Sequence, residues 1–142
     1  MEISKVRQRV LDTMDRARRA AAERRARTDQ ASREYDQFLE QVAVPLFRQI
    51  ANVLRAEGHH FTVFTPSGSV RLMSDRSADD YIELTLDTAA DVPQVTGHSS
   101  RSRGRHVLES ERPLNSASPI SELTDDDVLA FVLKELERFV EK

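Results

Sequence analysis

The chain has 142 residues, 39 % hydrophobic and 32 % charged, with a formal net charge of −3 and no cysteine. That length suits one domain. The missing cysteine excludes a disulfide scaffold, a thiolate metal site and a cysteine nucleophile. The four scattered glycines exclude a glycine-rich phosphate loop. No apolar run approaches the length that spans a bilayer, and the first residues lack a signal-like hydrophobic region, so a cytoplasmic protein with no membrane association is expected. Charge is spread unevenly. Residues 1–57 hold 12 basic and 9 acidic side chains, whereas residues 120–142 hold 3 and 7.

Residues 2–57 read as helix, interrupted only by Pro45, where the missing N–H and the ring's clash with the carbonyl of residue 41 predict a kink or break. The two halves differ. Over 35–57, Phe38, Leu39, Val42, Leu46, Phe47, Ile50, Val53 and Leu54 form one broad apolar face, and Gly58 follows as a left-handed helix end. Between Met14 and Tyr35 no large apolar side chain occurs, and the arginines of 16–33 point in all directions. Alanines and acid-before-base pairs four residues apart, such as Asp12–Arg16 and Glu23–Arg27, support that stretch locally.

A heptad frame runs through positions 3, 7, 10, 14, 17, 21, 24, 28, 31, 35, 38 and 42, with charge only at Arg7 and Arg24. Its small central residues permit close helix approach, which makes Val10, Met14, Ala17, Ala21, Ala31 and Tyr35 a candidate association seam. Residues 1–34 are therefore read as an extended helical arm and 35–142 as one domain. The alternatives are a solvated helix that touches nothing and a segment that folds onto a partner protein.

After Gly58 the period changes to two. Phe61–Thr65, Val70–Met73 and Tyr81–Leu86 alternate, separated by turn residues, and pairing Val63 with Leu72 and Leu72 with Ile82 gathers one apolar row. The other face then holds Phe64, Met73 and Tyr81 beside Arg71 and Glu83. A third hairpin is predicted from 94–98 and 106–111 around a loop at 99–105. Residues 112–120, with Pro113 and Pro119, read as a linker or surface loop. The last helix, 124–141, carries its own start signal: Thr124 as N-cap, Asp127 three residues on, and Leu123 with Val128 as a staple. The fold class is thus α+β, with a long N-terminal helix, an antiparallel sheet of three to five strands and a C-terminal amphipathic helix.

Chemistry-bearing residues are sparse. His98 and His106 would face each other across a hairpin centred on Ser102, close enough to share a metal but without a third ligand. The carboxylates Asp75, Asp79 and Asp80 suit turns, and Glu109 and Glu111 share a strand face. Arg101, Arg103 and Arg105 form a compact basic loop suited to an anion or a partner. The sequence therefore predicts a non-enzymatic interaction module, without a cofactor, that self-associates through the arm, a dimer being favoured, or docks a protein partner. A nucleic-acid-associated protein using helix 16–33 and loop 101–105 is the alternative, and a metal-dependent enzyme around His98 and His106 the third reading.

Overall fold

One helical rod opens the fold. In a computed structural model, which describes residues 1–140, helix α1 (Ile3–Phe38) passes through a single π-helical turn, Leu39–Ala43, into helix α2 (Val44–Ala56). The predicted kink or break at Pro45 is replaced by that turn. Val44 donates its N–H to the carbonyl of Leu39, five residues back. The wider turn admits the proline ring and its missing donor without ending the rod. At about 1.5 Å per residue the two helices together reach roughly 80 Å. α2 stops at Gly58 (φ 88°), where Gly58 N–H bonds the carbonyl of Arg55 and His59 N–H that of Leu54. This paired arrangement satisfies two carbonyls that the helix end would otherwise leave free.

Five strands follow as an antiparallel meander: β1 (Phe61–Phe64), β2 (Ser69–Ser74), β3 (Tyr81–Asp87), β4 (Gln94–Arg103) and β5 (His106–Pro113). Val63, Leu72 and Ile82 stand in one row, as the alternation requires. The same face continues through Leu84, Gly97 and Ser99. It packs beneath α2, which lies on β1 and β2, and beneath helix α3 (Asp125–Val140), which lies on β4. The apolar core sits between, with Phe47, Leu72, Ile82, Leu84, Val128 and Val132 fully buried.

The third hairpin is longer and tighter than predicted. Its turn is Gly104–Arg105 alone, with Arg103 paired to His106 and His98 to Glu111. Gly104 carries a positive φ (62°) and Arg105 does not, the pattern of a two-residue turn with glycine at its first central position. Serine-rich 99–103 looked like a loop. It is strand because β5 pairs with all of it and β3 with Ser99 and Ser100, while beyond the end of β3 a side chain accepts from its free polar groups. Ser102, for example, donates its N–H (2.7 Å) and its hydroxyl (2.9 Å) to Asp80. Arg112 and Pro113, assigned above to a linker, end β5, an edge strand on which proline is tolerated.

α3 begins as predicted. Asp127 accepts the N–H of Thr124 at 2.9 Å and returns its own N–H to the Thr124 hydroxyl at 3.3 Å. The bond from the Thr124 N–H, joined by those from the Asn115 amide and the Thr124 hydroxyl, holds the Asp127 carboxyl below the usual carboxylate range. The residue 141 assigned to this helix lies outside the described residues. The buried face of α3 holds Val128, Phe131, Val132, Glu135 and Leu136, whereas Leu133 is exposed.

The arm and the body meet earlier than residue 35. Ala31, Tyr35 and Phe38 are all buried in the chain's own core. The Tyr35 hydroxyl donates to the carbonyl of Gly68 at 2.7 Å and lies 3.3 Å from that of Leu84. Burial, followed by the negative charges of Glu83 and Asp36, pushes its ionisation well above the ordinary tyrosine value. The unfolded hydroxyl ionises near pH 10 or about there, the folded one higher. The stability this group contributes is therefore complete below that pH and is lost as pH rises beyond it. Tyr35→Phe should cost about 1 kcal/mol at neutral pH, the worth of one such hydrogen bond. It should also flatten the loss of stability between neutrality and about pH 11. Urea unfolding at both pH values checks this, and an unchanged alkaline slope would refute it.

Candidate association surface

From Ala26 outward α1 leaves the body. Residues 1–19 are exposed without exception, and the projecting segment 3–26 is about 36 Å long. This segment nevertheless carries Ile3, Val6, Val10, Leu11 and Met14, five apolar side chains in solvent, with Val10 at 51 % and Met14 at 43 % exposure. At 100° per residue, Ile3, Val10 and Met14 fall within a narrow stripe that Val6 and Leu11 widen on either side. Ala17 and Ala21 continue the stripe toward the body.

The candidate seam thus divides in two. Val10, Met14, Ala17 and Ala21 lie on the projecting part. Ala31 and Tyr35 are covered by the same molecule's core and are not available to a neighbour. Fold and seam share one heptad frame, which turns gradually round the helix: its outer part is bare and its inner part is already occupied.

At the base of the arm, a groove of about 390 Å³ runs between α1 (Ala26, Arg27, Gln30, Ala31, Glu34) and the segments at 92–93 and 119–120. Ala26, Arg27, Gln30 and Glu34 lie on the flank roughly opposite Val10 and Met14, so only Ala31 joins the groove to the heptad frame.

The basic segments are not brought together. Arg27 flanks that groove, next to Pro93, where β4 starts. Arg103 and Arg105 stand at the far end of β4, ten residues and about 30 Å away. Arg101 lies on the helix-side face of the strand and donates to the carbonyl of Arg138 at 3.0 Å, so it is engaged in holding the end of α3.

No protein-family model matches the chain, and comparison with curated proteins and with solved structures finds no significant similarity.

The histidines do not face one another. His98 pairs with Glu111, and His106 with Arg103 at the hairpin turn. Around His98 a polar ladder crosses the open sheet face. Its Nε2 lies 2.9 Å from the Thr85 hydroxyl and its Nδ1 3.6 Å from a Glu111 oxygen. Arg71 pairs with Glu83 at 2.9 Å and stacks over the Tyr81 ring at 4.2 Å. These cross-strand pairs fill the half-apolar face that the sequence left open. A cleft of about 310 Å³ lies beside them, lined by Tyr81, His98, Glu109 and Glu111. Among the described residues no three histidine or acidic side chains converge as metal ligands, and no helix is long and apolar enough to cross a membrane.

Proposed function

We propose that this protein is an interaction module whose projecting arm joins it to a second copy of itself. One observation carries the reading: the heptad frame that is buried from Ala31 inward stays apolar, Arg7 apart, and bare from Met14 outward. A helix exposed on every side gains nothing from such side chains in solvent. Covered by a second arm, five per chain, all but Ile3 already half-buried, contribute on the order of 10 kcal/mol per pair. The association cost of about 4–15 kcal/mol offsets much of that. The expected complex is therefore a weak, reversible one, formed at tens of micromolar and higher concentrations, as a net gain of about 6 kcal/mol allows.

Sedimentation of the full chain across that range should show a dimer that dissociates on dilution. Val10→Glu with Met14→Glu should give a monomer at every concentration, with an unchanged circular dichroism spectrum of the body, since neither side chain touches the core. A wild-type chain that stays monomeric at hundreds of micromolar overturns the reading. So does a monomer that binds nucleic acid with an affinity falling steeply as salt rises, which would assign the arginines of 16–33 to phosphate contacts instead.

A further inference from the structure

The geometry points to an antiparallel pair of arms in a single register, Ile3 of one chain lying against Thr28 of the partner subunit. This arrangement rests on the self-association just proposed and goes beyond it by fixing orientation and alignment. Its first support is steric. In a parallel pair the two bodies sit at the same end, and each arm must run on past residue 28 along its partner's seam face. That face is occupied from Ala31 onward by the chain's own core, through Tyr35 and Phe38. The heptad frame drifts on a straight helix by about 20° per heptad, or about 60° between Met14 and Tyr35. A body several helices wide blocks the approach in spite of that drift, and α1 has no break before Phe38 that would let it diverge.

Antiparallel arms escape the conflict because the bodies go to opposite ends. Core layers in such a pair join a first-type seam position of one helix to a second-type position of the other. Joining 7, 14, 21 and 28 to 24, 17, 10 and 3 satisfies this for the whole projecting segment. The overlap then ends at Thr28, which is half-buried, three residues before the seam face is closed by the core at Ala31. Shifting one heptad further would drive Ile3 into the position held by Tyr35.

The second support is size. In this register Met14 meets Ala17 of the partner subunit, Val10 meets Ala21 of the partner subunit, and Ile3 meets Thr28 of the partner subunit. Each large side chain faces a small one, and a two-fold axis between residues 15 and 16 repeats the pairs. Parallel alignment would set large against large and leave alanine layers underfilled. The remaining layer sets Arg7 against Arg24 of the partner subunit, a like-charge contact that the long apolar stems relieve by reaching outward.

That layer supplies a test of sign. Arg7→Glu creates two opposite-charge layers per dimer in this register and should tighten dimerisation by about tenfold at low salt. Adding Arg24→Glu should return the affinity to the wild-type range. In a parallel pair, residue 7 meets only its own copy, and Arg7→Glu would bring no gain. The chain has no cysteine, so disulfide trapping gives an independent measurement. Equimolar Val10→Cys and Ala21→Cys chains in a thiol–disulfide buffer should yield mainly the mixed dimer. Predominant homodimers of each variant, with sedimentation still showing a dimer, overturn the register and leave self-association standing. Sedimentation showing only monomer overturns both.

Discussion

Gly97→Ala should lower stability by about 1–3 kcal/mol, an unusually large cost for adding one methyl group to a strand. A Cβ built on Gly97 would lie 2.3 Å from Cζ of Phe131 and within 2.7 Å of both Cε atoms. The phenyl ring is 2 % exposed, and the Arg112 guanidinium carbon lies 4.5 Å from its centroid, so the ring has no free direction in which to withdraw. The position needs glycine for space, not for conformation, since its φ is not in the left-handed region. A double-mutant cycle isolates the cause. Phe131→Ala alone should cost about 3–5 kcal/mol through the cavity it leaves. In that background Gly97→Ala should be close to neutral, because alanine suits a strand interior at least as well as glycine. Equal costs of Gly97→Ala in both backgrounds, measured by urea unfolding, would show that Phe131 is not the obstacle.

That contact also shows where a sequence stops being readable. The hydrophobic periods give the helices, the first two hairpins and even the Val63–Leu72–Ile82 row, because each depends on neighbours a few residues apart. Thr124, Asp127 and Gly58 are legible for the same reason: capping bonds are local. Gly97 looks like any strand glycine, since its requirement comes from a helix more than thirty residues later. The 99–103 segment misleads because its turn-forming composition is overridden by pairing with β5 along its whole length and with β3 at Ser99 and Ser100. The arm is the intermediate case. Its shortage of large apolar side chains after Met14 is visible, and so is the heptad frame. Where along that frame the body takes over is a tertiary fact: Tyr35 fits a seam by period and a core by contact, and only the bond to Gly68 separates the two.

Glu135 is the clearest missed signal, and its partner yields the second large effect. It stands at a sheet-facing position of α3, three and seven residues after Val132 and Val128, and is 2 % exposed. A lone carboxylate within an apolar helix stripe is visible in the sequence. What neutralises it is not, because the residue that does so comes from β5. Ser99 donates its hydroxyl to one carboxylate oxygen at 2.8 Å, Arg112 Nε lies 3.4 Å from the other, and Arg138 approaches at 3.7 Å. Arg112→Met keeps the apolar stem over Phe131 but removes the nearest cation. Breaking a buried pair from one side strands the remaining charge and typically costs 3–5 kcal/mol; Arg112 is partly exposed and Arg138 remains, so about 2–3 kcal/mol is expected here. Glu135→Leu in the same chain removes the stranded carboxylate. The double variant should then be more stable than Arg112→Met alone, since a buried ion pair replaced as a whole by apolar side chains is often neutral. The coupling between the two substitutions, read from urea midpoints at neutral pH, should exceed 1 kcal/mol or thereabouts. Additive losses would mean that Arg112 acts through its packing on Phe131 alone, and that Ser99 and Arg138 suffice to hold the carboxylate.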